Sequence, residues 1–319
     1  MKHRLCLSPI ASVSSVLAGG TLVAFGVGPT GVVYFVVALN PLDYRTEQPG
    51  WASFAKTVPD EPQRYRVVGL SGSDAILDTV IENEPFNIHH VQPLNDELLL
   101  VCSRSHYKGP TQFEKNGRVY SRSGRFQREM LLGDGIQDVQ ATSNGVIWTS
   151  FFDEGIFGNY GWENPVGASG LVAWDFTGNK LYEFEAAGES DAMSDCYALN
   201  VQSDDDVWCY YYTDFPLVHL HGQKIVSALQ VPVSGSDAFA VWGNHALFRG
   251  EYKNHDTYRL LSLSSAGEAT LLAEIELYDQ EGVKIAAERV MGRGDNIHVL
   301  SGQVLYKVGV REAIAVHEG

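Results

Sequence analysis

Apolar and polar positions along this chain fall into paired alternating runs, each pair split by a short polar or Gly-containing break. The pattern recurs six times, over residues 22–34, 89–101, 137–148, 197–208, 238–248 and 288–299. The breaks are Thr30-Gly31, Asn95-Asp96, Asn144-Gly145, Asp204-Asp205, Asn244-His245 and Asp295-Asn296. Alternation with period two places every second side chain on one face of a sheet. Asn, Asp and Gly at the breaks are hairpin signals. A unit of roughly 40–65 residues built from strands alone predicts radially stacked sheets.

Two further strands follow each pair. In the first unit they are 64–70 and 75–80, around Ser71-Gly72-Ser73-Asp74. The second has 117–122 and 126–132 around Gly124, and the third 171–176 and 180–184 around Thr177-Gly178-Asn179. The remaining three pivot on Gly222, Gly267 and Gly309. Four antiparallel strands per unit and six units predict an all-β fold, a six-bladed β-propeller. It runs as a single domain over residues 21–319, with residues 1–20 as an N-terminal segment. That segment reads either as an outer strand that helps close the ring, through Leu5, Leu7, Val13 and Val16, or as a secretory signal opened by Lys2, His3 and Arg4. The first reading is preferred because Pro9 and four serines dilute the apolar stretch; it goes with a cytoplasmic location, the second with export. No stretch is long and apolar enough to predict a membrane-spanning helix.

In a four-stranded blade the middle hairpin and the interblade link share one face. Here the middle connections are long, at 40–63, 103–116, 153–169, 213–216 and 251–257. Loops longer than chain reversal requires commonly carry function. The densest is FFDEGIFGNYGWENPVGASG, with Asp153, Glu154, Asn159, Tyr160 and Trp162 among glycines. Tyr and Trp bring large contact surfaces with a polar handle to a binding rim. Asp195 and Tyr197 enter the fourth inner strand on one face, and Tyr211 and Asp214 return to the same rim. His89 and His90 begin the second inner strand, so one of them points inward.

Charge narrows the partners. The formal net charge is −16, with 23 Lys and Arg against 39 Asp and Glu. Arg118, Arg122, Arg125 and Arg128 form the one basic run, expected on an outer hairpin. That balance argues against a nucleic-acid partner. The four cysteines, Cys6, Cys102, Cys196 and Cys209, lack metal-type spacing and read as thiols in preference to a Cys196–Cys209 disulfide. His219 and His221 share a strand face next to a turn on the opposite side, an unpromising place for a metal pair, and Asp204-Asp205-Asp206 reads as a solvated turn.

The segments FDEGIFGNYGW, DCYALNV and YYYTDFP resemble parts of a group of uncharacterised bacterial propeller-like proteins. The resemblance covers mainly the third and fourth blades. It implies a bacterial source and a shared site at the junction of those blades, and it carries no reaction across.

Two functions follow as expectations. The first is a binding propeller whose aromatic, acidic face around blades three and four takes a small molecule, a glycan or a peptide, with a protein partner as a further option and no cofactor. The second is a hydrolase or lyase at the channel mouth that uses the carboxylates, with Ca²⁺ or Mg²⁺ held by oxygens of Asp153, Glu154, Asn159, Asp195 and Asp214 and assistance from His89 or His90.

Overall fold

A computed structural model describes residues 2–46, 50, 52–186 and 192–319. The expected long loop 40–63 therefore lies partly outside the described residues, at 47–49 and 51. The chain divides into two compact units, Ser15–Glu185 and Met1–Ser14 with Ala186–Gly319.

The chain opens with β1 (Lys2–Cys6) and β2 (Ala11–Ser12). The Ser15–Glu185 unit follows with three four-stranded antiparallel sheets. Its first blade comprises β3 (Thr21–Val27), β4 (Val33–Ala38), β5 (Gln63–Ser71) and β6 (Asp74–Glu84). The second comprises β7 (His90–Leu94), β8 (Glu97–Val101), β9 (Gly117–Ser121) and β10 (Phe126–Met130), and the third β11 (Ile136–Ala141), β12 (Ile147–Phe151), β13 (Leu171–Trp174) and β14 (Lys180–Glu183). Central strands such as β4, VYFVVA, are buried throughout. Outer strands such as β6 are mostly exposed, with Leu77, Ile81 and Glu84 turned into the core. The core between the first two blades is filled by Val36, Tyr65, Val67, Ile81, Ile88, Val91, Leu98 and Leu100, each large side chain contributing roughly 1.5–3 kcal/mol on removal from water.

A carboxylate is buried in that same core. Glu84, at the end of β6, is fully buried; it accepts the Phe86 N–H at 3.0 Å and the Tyr120 hydroxyl, and pairs with Arg118 Nε at 3.2 Å. Burial pushes its carboxyl up to about 7, a rise that Arg118 only partly offsets. A pKa raised above that of the unfolded chain means that the folded state holds the proton more tightly. Its contribution to stability is then full at low pH and is lost as pH rises from about 4.5 to 7. Glu84→Gln should flatten that decline, gaining about 2–3 kcal/mol on wild type at pH 8 and little at pH 4.5. Urea unfolding of both proteins at the two pH values checks this, and parallel curves would contradict it.

The second unit contains the other three blades. Blade four comprises β15 (Asp195–Val201), β16 (Asp206–Tyr212), β17 (Pro216–His221) and β18 (Lys224–Gln230). Blade five comprises β19 (Phe239–Trp242), β20 (His245–Phe248), β21 (Thr257–Leu263) and β22 (Ala269–Tyr278), and blade six β23 (Arg289–Arg293), β24 (Asn296–Ser301) and β25 (Val304–Gly309). Blade five carries β1 as a fifth strand, parallel to β22, and blade six is completed by β2, antiparallel to β25. Three blades in each unit, each with four antiparallel strands and the sixth completed by β2, give the fold class: a six-bladed β-propeller.

The inner strands of this unit lie very close together. A Cβ on Gly292 of β23 would sit 1.9 Å from the Phe239 carbonyl oxygen, so only glycine fits there. The fully buried Asn200 of β15 donates its amide to the carbonyls of Phe239 and Gly294, each at 2.9 Å, and accepts the Gly294 N–H at 2.7 Å. One side chain thus ties the inner strands of three blades.

One expectation for the sixth blade is corrected. Gly309 is not a hairpin pivot, and no fourth strand follows it. The last hairpin turns at Gly302, φ +57°, and Val310–Glu318 is a helix. Glu312 accepts the Gly309 N–H at 3.0 Å, capping the helix at its start, while β2 takes the edge that a fourth strand would fill.

Candidate functional site

In the Ser15–Glu185 unit the middle loops of all three blades meet at Tyr160, bonded to Ala55 and Tyr107, and its ring packs on Arg104, which follows β8. Its guanidinium is buried and forks onto Asp134, Nε to Oδ1 and Nη2 to Oδ2, both at 2.9 Å, while Nη1 pairs with Glu154. Asp134 also accepts the Ser105 N–H at 2.8 Å. Burial raises the Asp134 carboxyl above its ordinary value, against the pull of Arg104. The Arg104 guanidinium lies 3.9 Å from the centre of the Tyr160 ring and 5.4 Å from that of Phe152. Such charge-assisted, bidentate pairing fixes geometry as well as energy.

Tyr160 is positioned from several sides. Its φ of +48° is uncommon for a residue with a Cβ. The Asn159 carbonyl oxygen of the side chain accepts its N–H at 2.7 Å, its own backbone carbonyl accepts the Tyr107 N–H at 2.9 Å, and its hydroxyl donates to Ala55 O at 2.7 Å. The His106 ring meets it edge-on at 4.4 Å. Beside it opens a cleft of about 390 Å³ lined by Thr46, Phe54, Lys56, Val58, His106 and Tyr160, among others. Phe54 and Val58 are 58% and 43% exposed. Below the cleft, Glu114 accepts from the Thr57 hydroxyl at 3.1 Å and from the His106 N–H at 2.8 Å. Burial alone would raise the Glu114 carboxyl, yet the hydrogen bonds from His106 and Thr57 win and hold it below its ordinary value.

The expected site residues of this unit separate into distinct roles. Asn159 and Tyr160 line the cleft. Glu154 is committed to Arg104, and exposed Asp153 accepts the Glu154 N–H at the start of the short helix Asp153–Phe157. Trp162, expected on a rim, is buried instead: its indole donates to Ser105 O at 2.7 Å and its ring lies 4.7 Å from that of Tyr107. His89 accepts the Ser103 N–H at 3.2 Å. His90, half-buried like His89, lies 2.8 Å from the Ser103 hydroxyl, and burial pushes its imidazole down to about 3, so it stays neutral at physiological pH. Among the basic run, Arg118 is buried against Glu84 and Glu129, and Arg128 pairs with Glu97 at 2.7 Å.

The remaining expected residues lie in the other unit. Asp195 and Tyr197 are both half-buried, alternating with the buried Cys196 and Ala198, and a bulge between Cys196 and Ala198 leaves Tyr197 without a cross-strand partner in the regular ladder. Tyr211 is buried within β16, and Asp214 is exposed in the turn that follows, with φ +64°. Tyr197 reaches the Tyr252 hydroxyl at 2.5 Å. Asp206 is more than a turn residue. Its Oδ1 accepts the N–H groups of His219 Nε2 at 2.9 Å and His221 Nδ1 at 3.0 Å, which help hold its carboxyl low against burial. Cys102, Cys196 and Cys209 are buried free thiols, and Cys6 is an exposed one. Among the described residues, no group of three or more His, Cys, Asp and Glu is arranged to hold a metal ion, and no helix is long and apolar enough to cross a membrane.

Sequence patterning missed Arg104, Asp134, Phe54 and Tyr252. Only Asp134 carries a local signal, a carboxylate between two glycines in LLGDGI. The others gain their roles from neighbours on different loops.

Among solved structures, the chain is similar to a chain in the "Crystal Structure of Mitotic Checkpoint Complex", at 7% identity and TM-score 0.48, covering 91% of this chain and 87% of that one. It is similar to the WD40 β-propeller domain of Doa1 at 11% identity and TM-score 0.43, covering 90% and 92%. It is also similar to Kluyvelomyces marxianus Hsv2 at 7% identity and TM-score 0.48, covering 91% and 77%. No curated protein matches the sequence. Residues 168–308 match the family model described as the YxzG family, and that stretch of the chain is similar to it.

Proposed function

We propose that this propeller is a binding module, and that the cleft beside Tyr160 receives a short peptide through an apolar side chain. The observation that carries the reading is the contrast between a rigidly held wall and an unsatisfied opening. Tyr160 is fixed by Arg104, Asn159, Tyr107 and Ala55, whereas Phe54 and Val58 present apolar surface to solvent at the cleft. Preorganised aromatic walls with exposed apolar groups and a few polar contacts are the usual makeup of a recognition site. His106, Asn159, Thr46 and Lys56 supply polar partners for a peptide backbone. The carboxylates of these loops support binding over acid–base chemistry: Asp134 and Glu154 neutralise Arg104, and Glu114 is held by His106 and Thr57.

The experiment is selection of a displayed peptide library on the full chain, followed by calorimetric titration of the selected peptides. Phe54→Ala removes an exposed ring without opening the core and should weaken binding about tenfold or more, as for a central anchor. Asn159→Ala should weaken it less. Peptides whose affinity is indifferent to Phe54→Ala would remove the cleft from consideration.

A further inference from the structure

The second unit carries an aromatic cluster of its own on the side of its middle loops. Tyr197 occupies the bulge of β15, Tyr212 ends β16, Phe215 lies in the turn before β17, and Tyr252 stands in the connection from β20 to β21. The Tyr197 and Phe215 rings are 5.5 Å apart at 80°, Tyr197 and Tyr252 5.8 Å at 83°, and Phe215 and Tyr252 6.1 Å at 73°. Three rings are thus mutually near-perpendicular, like the walls of a corner, and Tyr212 leans on Phe215 at 5.5 Å and 56°. Tyr210 anchors the base. It stacks on Phe215 at 5.5 Å and donates its hydroxyl to Val233 O at 2.7 Å. The Tyr252 ring lies over Gly235, where a Cβ would come within 2.4 Å of it.

Tyr197 and Phe215 pack against the core of this unit, and three observations distinguish the outward side of the cluster. Tyr212 and Tyr252 are 45% and 52% exposed, so the corner opens to solvent. Asp214 and Phe215 hold successive positive φ angles of 64° and 54°, a conformation that non-glycine residues rarely adopt, and it is this turn that presents the Phe215 ring. The surroundings are acidic on balance: Asp195, exposed Asp214, Glu251 and Asp256 lie on the elements that carry the rings, against Lys253 beside Tyr252 and Arg249, which pairs with Asp237 and Asp256, on a chain of net charge −16. Burial raises the Tyr197 hydroxyl, and the neighbours Tyr252, Asp195 and Tyr212 push it the same way.

We propose that this corner is a binding site for an organic cation of the quaternary ammonium class. The face of an aromatic ring is negative, so several rings around one opening favour a diffuse, weakly hydrated positive charge. The acidic residues add long-range attraction and exclude anions. The site is separate from the peptide cleft and does not rest on it.

The test is titration of the full chain with choline and with 3,3-dimethylbutan-1-ol, its uncharged carbon isostere, followed by saturation-transfer NMR. Choline should bind about tenfold more tightly than the isostere, because only the charge differs. Tyr252→Leu and Tyr212→Leu, both at exposed positions, should each weaken choline binding several-fold with an unchanged melting temperature. Asp214→Asn should weaken it and reduce its salt dependence. Phe54→Ala should leave it unaltered. Equal affinity for choline and its isostere, no choline binding in the millimolar range, or binding that survives both leucine substitutions would overturn the assignment.

Discussion

Arg104→Met should lower stability by about 3–5 kcal/mol, the cost of leaving a buried carboxylate without its counter-charge. Asp134 is 2% exposed and takes both arms of the guanidinium, and nothing else in the unit offers it a cation at that distance among the ion pairs described. A chain of this size should show the loss as a fall of about 5–10 °C in melting temperature. The double variant Arg104→Met with Asp134→Leu should recover much of it, because an apolar pair of similar volume leaves no buried charge. The cleft should respond too, since the guanidinium face holds the Tyr160 ring at 3.9 Å. Peptide affinity should therefore fall in the single variant and remain low in the double one. Differential scanning calorimetry and calorimetric titration separate the two effects. A single variant as stable as wild type would show that Asp134 takes up a proton or a new partner at little cost.

Asn200→Leu should be of similar size, again about 3–5 kcal/mol, through a different mechanism. It leaves the Phe239 carbonyl and the Gly294 N–H without the Asn200 amide at a fully buried position, while the Gly294 carbonyl keeps the Val241 N–H at 3.0 Å, and each orphaned group costs about 1–3 kcal/mol. Asn200→Asp provides the control. A carboxylate can still accept the Gly294 N–H, but it faces two carbonyl oxygens with no proton to offer. Its folded-state pKa should rise, so this second variant should regain stability as pH falls toward 4, where the protonated group donates again. Urea unfolding at pH 7 and pH 4.5 reads both variants. A pH-independent Asn200→Asp protein would mean that the amide donors contribute little to tying the strands.

How much of this was legible in the sequence follows from the range of the forces involved. The hairpin turns were readable because their requirement is local: Asn95, Gly145 and Gly178 adopt positive φ at the breaks where Asn and Gly predict it. Gly309 misled for the opposite reason. The residues after it were expected to form a strand, and what decided otherwise was a cap from Glu312 together with β2 filling the edge from the far end of the sequence. In the cleft, Asn159 and Tyr160 stood out through the glycine-rich loop that carries them. Arg104 and Phe54 did not, because an arginine in CSRSH or a phenylalanine in ASFAK looks ordinary until loops from different blades meet. Alternation gave the half-buried positions of Asp195 and Tyr197, whereas the bulge at Tyr197 depends on the pairing with β16 and has no local signal.

The pairing of β1 with β22 and of β2 with β25 also bears on the birth of the protein on the ribosome. Residues 2–12 are made well before their strand partners, Glu274–Tyr278 and Val304–Leu305. At about 5–20 residues per second, translation makes the early segment wait on the order of 15–60 s for its place. During that interval Leu5, Leu7 and Val13, all buried in the finished fold, have no sheet to join. The first three blades, Ser15–Glu185, draw on no such distant segment for their strands and are free to form while the rest is still being made. Synthesis thus divides into an early half whose strands pair among themselves and a late one that must recapture residues 2–12.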